Sequence, residues 1–180
     1  MTSFLESFRE EFSEQFTEKH KEILFLIDTH DFSRVSQHVS KELGIIDKQF
    51  LDEGIHNLKR YYAVAFLDPL NEHAVSKQVD PFWHSHILFT KEYTQFCTDI
   101  VNAYMHHDPL DDSDKVEVER VKNLYEYTRQ IYSQMFKSTS DIWWPDSAVD
   151  SSVVICRHCP MSYNLHGALF PMRTDIECRA

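Results

Sequence analysis

A chain of 180 residues with only three glycines cannot reverse direction through many tight hairpins. The two-residue turns that join adjacent strands need positive-φ positions, which glycine fills best, and sandwiches and barrels depend on such turns. Six prolines, and long stretches rich in Glu, Lys, Gln and Leu, push the same way, toward helices that run for several turns between breaks. Apolar residues make up 42% of the chain, which at this length can bury a substantial core within one domain. The expected fold class is therefore all-α in the main. A helical bundle domain spans 1–138, and an irregular, cysteine-containing tail over 139–180 packs on the same domain.

The helical periods can be followed along the chain. Ser3 with Glu6 makes a capping-box pattern. Phe4, Phe8, Phe12 and Phe16 then recur every four residues, which predicts a core-facing helix running toward the apolar 23–27 segment. Asp31 and Gly44 bracket a short helix. Asp47 opens a longer one with Phe50, Leu51, Ile55, Leu58, Tyr62 and Phe66 on one side, ending before Pro69. A short helical piece is expected within 70–78. Asp80 and Pro81 form a cap and first-turn pair. From Phe82 to about Met105, the residues Phe89, Tyr93, Phe96, Ile100 and Tyr104 share one face. A last long helix is expected from about Lys115 to Phe136. In the tail, the segments 151–156 and 167–170 are expected as two strands of a short β-hairpin, and Trp143, Trp144 and Pro145 as packing elements over the bundle.

Charge narrows the function classes. Residues 1–90 hold 9 Lys/Arg against 15 Asp/Glu, and residues 91–180 hold 9 against 14, so the net charge of −11 is spread evenly. With no basic stripe to neutralise phosphates, nucleic acid is not expected as a partner, and an anionic membrane surface would repel the chain. The N-terminal segment lacks the cationic start and apolar run of a signal peptide, and no apolar stretch approaches the roughly 18 residues of a membrane span. A cytoplasmic location is expected, where four cysteines serve as thiols or metal ligands rather than disulfides. Cys97, mid-helix beside Phe96, reads as a buried thiol. The chain has no Gly-rich phosphate loop, no nucleophile elbow and no zincin helix. The paired Glu-x-x-His sequences of a di-iron bundle are also missing.

Chemistry concentrates between Val79 and Leu110, where four of the eleven histidines lie. Imidazole offers a neutral nitrogen to metals near pH 7. His84 and His86 sit two apart, about 200° of rotation on an ideal helix, so they would face nearly opposite sides unless the first turn is irregular. Asp80, four residues before His84, could cap the helix, orient a ligand or act as a third ligand. A continuous helix from Ser85 to Met105 would be about 30 Å long. It would keep His106 and His107 away from the first pair, and no Pro or Gly between 82 and 108 predicts a break. An antiparallel homodimer would be the way to bring His86 beside His107. The bland alternatives are that Trp83 and His86 pack in the core while His84 faces solvent, and that His106 and His107 mark a helix end by interacting with its exposed carbonyls. In the tail, Cys156 and Cys159 have the chelate spacing of zinc knuckles, with Cys178, His158 or His166 available to complete four ligands. Unbonded thiols are the competing reading.

The residues Asp80, Trp83, His84, His86, Leu88, Tyr93, Cys97, His106, His107 and Pro109 resemble the helical module of the glycine-rich domain-containing protein family and its short bacterial relatives. The resemblance covers 32 of 180 residues, and the glycine-rich region that names the family is missing. It implies a helical fold and brings no established reaction.

Together these readings favour a metal-binding helical protein, with zinc or iron as cofactor. The candidate ligands are His84, His86, Asp80, His107, Cys156 and Cys159. An open coordination position would serve a small metal-dependent enzyme with an unidentified small-molecule substrate. The competing classes are a protein-protein interaction module with structural histidines, and a scaffold stapled by zinc at the C-terminal cysteines.

Overall fold

The computed structural model describes residues 3–111, 113–146, 154–158, 169–171 and 173. The protein is mainly helical. Among these residues it has α1 (Glu10–Ser13), α2 (Glu18–Thr29), α3 (Ser33–Leu43), α4 (Lys48–Leu67), α5 (Asp80–Leu88), α6 (Thr90–Val101) and α7 (Lys115–Met135). Three short strands accompany them: β1 (His73–Ser76), β2 (Asp108–Pro109) and β3 (Val154–His158).

Helix α4 is the spine. The Asp47 side chain caps it by accepting the Gln49 amide, and from Tyr61 to Leu67 every side chain is buried. Helices α2, α3, α5 and α7 pack around it. At Gly54 a Cβ would overlap the Phe82 ring of α5. On the α7 side, Trp143 and Trp144 are buried and donate their indole N–H groups to Glu53 and Asn57 of α4 (3.2 Å each). Phe170 stacks on Phe12, with ring centroids 5.7 Å apart.

Four expectations from the sequence give way. The N-terminal phenylalanine stripe is not one helix. The Ser3–Glu6 box forms but opens only a 3-10 turn at Leu5–Ser7, and the chain breaks again before α2. The break follows from pairing with another element, since Arg9 N–H donates to the Met135 carbonyl (2.8 Å) and Lys137 N–H to the Ser7 carbonyl (2.9 Å). Residues 73–76 form a strand rather than a helical piece, all four buried. Strand β3 takes β1 and β2 as antiparallel neighbours, in the order β1-β3-β2. Both sides of β3 are thereby taken at Cys156, and the described residues of the expected partner segment, Leu169 and Phe170, form a bend.

The fourth correction decides the site. The helix expected from Phe82 to Met105 is broken at Phe89, which has φ −84° and ψ 60°. Its N–H reaches back only three residues, to the His86 carbonyl (3.1 Å). Helix α6 then ends at Asn102, in the left-handed conformation with φ 53°. Asparagine tolerates that conformation better than most residues. No proline or glycine was needed for either turn, and the return from α6 brings 103–109 back beside the start of α5.

Candidate functional site

Asp80 stands in the first turn of α5 and His84 one turn later, so the i,i+4 spacing sets both on one helix face. The return after Asn102 brings His107 to the same place. One ligand atom from each of Asp80, His84 and His107 lies within 4.8 Å of the other two. His84 Nε2 and His107 Nε2 are 2.5 Å apart. Asp80 Oδ2 lies 3.8 Å from the first and Asp80 Oδ1 3.6 Å from the second.

Burial grades across the cluster. The Asp80 and His107 side chains are 7% and 11% exposed, whereas His84 is 51% exposed. Asp80 Oδ1 is buried and accepts no hydrogen bond from the described residues. An ionised carboxylate oxygen in that position is costly unless a cation or donor meets it. The donor set of two imidazoles and one carboxylate is the kind that zinc and ferrous iron accept. Its residues therefore fit a divalent transition metal with positions left open toward solvent.

A network behind the cluster fixes His107. The Trp83 ring packs against the His107 ring, with centroids 4.7 Å apart. Trp83 donates its indole N–H to the Tyr93 hydroxyl (3.2 Å), and that hydroxyl donates to the Met105 carbonyl (2.6 Å). All three of these residues are fully buried.

Of the remaining sequence candidates, His86 and His106 lie elsewhere. His86 points to the other side of α5, 1% exposed. There its Nδ1 pairs with the Tyr62 hydroxyl at 2.8 Å, among the rings of His30, Phe32, Tyr93 and Phe96. Burial pushes its pKa down to about 3, with the His30 charge adding to the effect, so its imidazole is neutral. It is not in the Asp80 cluster. His106 is exposed, its ring against Tyr104 at 4.8 Å. The Cys156 backbone sits in β3 opposite Val75 and Pro109. Cys159, His166 and Cys178 lie outside the described residues. Cys97 is a buried free thiol, which desolvation raises to about 11.

Sequence reasoning missed a second polar cluster, around Asp68. Its carboxylate accepts hydrogen bonds from Tyr127 (2.6 Å) and Asn71 (2.7 Å) and pairs with His73 Nε2 at 3.2 Å. Nothing in the local spacing links Asp68 to Tyr127, which is 59 residues away.

No curated protein and no solved structure matches the chain. A family model does match, that of the UCP032817-like family, over residues 21–132. The matched segment runs from within α2 to within α7 and contains Asp80, His84 and His107. This overturns the resemblance to glycine-rich domain-containing proteins, for which the comparisons give no support. The residues that carried the resemblance do several different jobs here. Trp83, Tyr93 and Cys97 are fully buried, and His86 belongs to the core rather than to the Asp80 cluster. The chain belongs to the UCP032817-like family.

Proposed function

We propose that this protein binds a divalent transition metal, zinc or iron, through Asp80, His84 and His107, and uses it as a small metal-dependent enzyme. The observation that carries the reading is the convergence of these three ligand atoms within 4.8 Å around a buried carboxylate oxygen that no described donor meets. A bound ion would supply Lewis acidity to a small molecule at its open positions. The residues divide that work by their burial. Asp80, held in the first turn of α5, contributes the charge. His107, backed by Trp83, is fixed from inside, and the half-exposed His84 leaves the solvent side accessible.

The test is metal binding by the purified chain. About one equivalent of zinc or ferrous iron is expected. Asp80→Asn, His84→Ala and His107→Ala should each weaken affinity by at least about 100-fold, the upper end for losing even an outer-shell partner. Affinity unchanged in all three variants would rule this site out.

A further inference from the structure

We infer that Tyr93 positions the metal site, by holding the return that carries His107 against the helix that carries Asp80 and His84. This rests on the metal reading above.

The return from α6 is held at its far end by β2, whose Asp108 and Pro109 pair with β3. Between α6 and β2, among the described residues, no backbone–backbone hydrogen bond outside helices and the sheet reaches 103–107. The chain leaves α6 through the left-handed Asn102 and arrives at His107 five residues later. Between them Met105 is buried, and its carbonyl accepts the Tyr93 hydroxyl at 2.6 Å, with the Cys97 thiol also hydrogen-bonded to the Met105 backbone. A tyrosine hydroxyl has one proton to give and lone pairs to accept with, and here both capacities are used. The proton goes to Met105, two residues before His107, and the oxygen accepts the Trp83 indole N–H at 3.2 Å. Trp83 is the immediate neighbour of His84 on α5, and its ring packs on His107. One buried oxygen thus joins both chain segments that supply ligands. Outer-shell hydrogen bonds of this kind fix ligand orientation, and losing one typically costs metal affinity about 10–100-fold.

The variant Tyr93→Phe removes the hydroxyl and keeps the ring. Titrated with zinc, it should bind about 10–100-fold more weakly than the wild-type chain. Its cobalt(II) absorption spectrum should match that of His107→Ala rather than that of the wild type. The double variant Tyr93→Phe/His107→Ala should bind no more weakly than His107→Ala alone, because two changes acting through one ligand are not additive. A purely structural role would instead give losses that add, and additive losses overturn the inference. Wild-type zinc affinity in Tyr93→Phe overturns it as well, while leaving the metal reading intact. A wild-type chain that binds no zinc defeats the metal reading itself, and this inference with it. Should Tyr93→Phe fail to fold, Trp83→Phe breaks the network from its other end. It should show the same loss and the same non-additivity with His107→Ala, and additive losses there overturn the inference equally.

Discussion

His84 and His107 are 23 residues apart in the chain, and their Nε2 atoms are 2.5 Å apart in the fold. At that separation both rings cannot carry a proton between them, so at least one nitrogen presents a lone pair. Asp80 lies beside both. The carboxylate is buried and one imidazole is half exposed, so the cluster is anchored in the protein and opens outward. That arrangement suits a ligand delivered from solvent.

Metal should therefore stabilise the fold. At zinc concentrations about one hundred times the dissociation constant, binding to the native state alone adds about 2.7 kcal/mol. The thermal midpoint of the wild-type chain should rise with zinc and fall back with a chelator, and Asp80→Asn should show no rise. An identical rise in Asp80→Asn would mean that zinc binds elsewhere.

Gly54 should resist replacement. A glycine in a helix interior costs about 1 kcal/mol relative to alanine, so an exposed site would gain from Gly→Ala. Here the new Cβ would overlap the Phe82 ring, at the contact that seats α5 on α4. Overpacking of that kind costs roughly 1–3 kcal/mol. Gly54→Ala should lower the urea midpoint, and a raised midpoint would show that Phe82 moves aside freely.

The long helices were legible because their signals are local. Asp47 and Gly44 mark ends that are kept, and the spacing of Leu58, Tyr62 and Phe66 describes the buried side of α4. The break at Phe89 was not legible. A phenylalanine carries no turn signal, and the bend goes with the packing of Tyr93 against His86 of α5 and of Phe96 against His30, just past α2. Asn102 was the one residue whose chemistry could have hinted at the return, through its tolerance of the left-handed region. Strand β1 was hidden because its residues are buried on both faces, which erases the alternation of a half-exposed strand. For the site, Asp80, His84 and His107 were all visible as candidates. Their meeting was not, since it depends on both breaks.

Acid should destabilise the protein through buried histidines. Burial, followed by the charges of Arg60 and Lys59, lowers the pKa of His56 to about 4, against about 6.5 in an unfolded chain. Between those values the unfolded state binds more protons than the native state, so stability is present above about pH 6.5 and is lost as the pH falls. His86, held near 3, acts in the same direction. Because His56 is partly exposed, its share between pH 7 and 5 is about 1 kcal/mol. Urea midpoints at the two pH values should show His56→Gln losing less stability on acidification than the wild type. Equal losses would remove His56 as a contributor.

Thr128, His73 and Asp68 are spaced like a nucleophile, a base and its orienting acid, with Thr128 Oγ1 3.3 Å from His73 Nδ1 and His73 Nε2 3.2 Å from Asp68 Oδ2. The surroundings argue for structure instead. All three residues are fully buried. The single hydroxyl proton of Thr128 goes to the Leu124 carbonyl (2.9 Å), while its oxygen accepts the Ala74 amide (3.0 Å). A hydroxyl committed to a helix carbonyl and to the edge of β1 is not available as a nucleophile. The cluster instead ties α7 and β1 to the end of α4. Asp68→Ala would leave the Tyr127 hydroxyl, the Asn71 amide and His73 without their shared acceptor. Leaving a buried polar group without its partner costs about 1–3 kcal/mol. Denaturant unfolding should register that loss, whereas zinc affinity measured on the folded variant should stay at the wild-type value. A variant of normal stability with altered zinc affinity would move this cluster from the framework into the site.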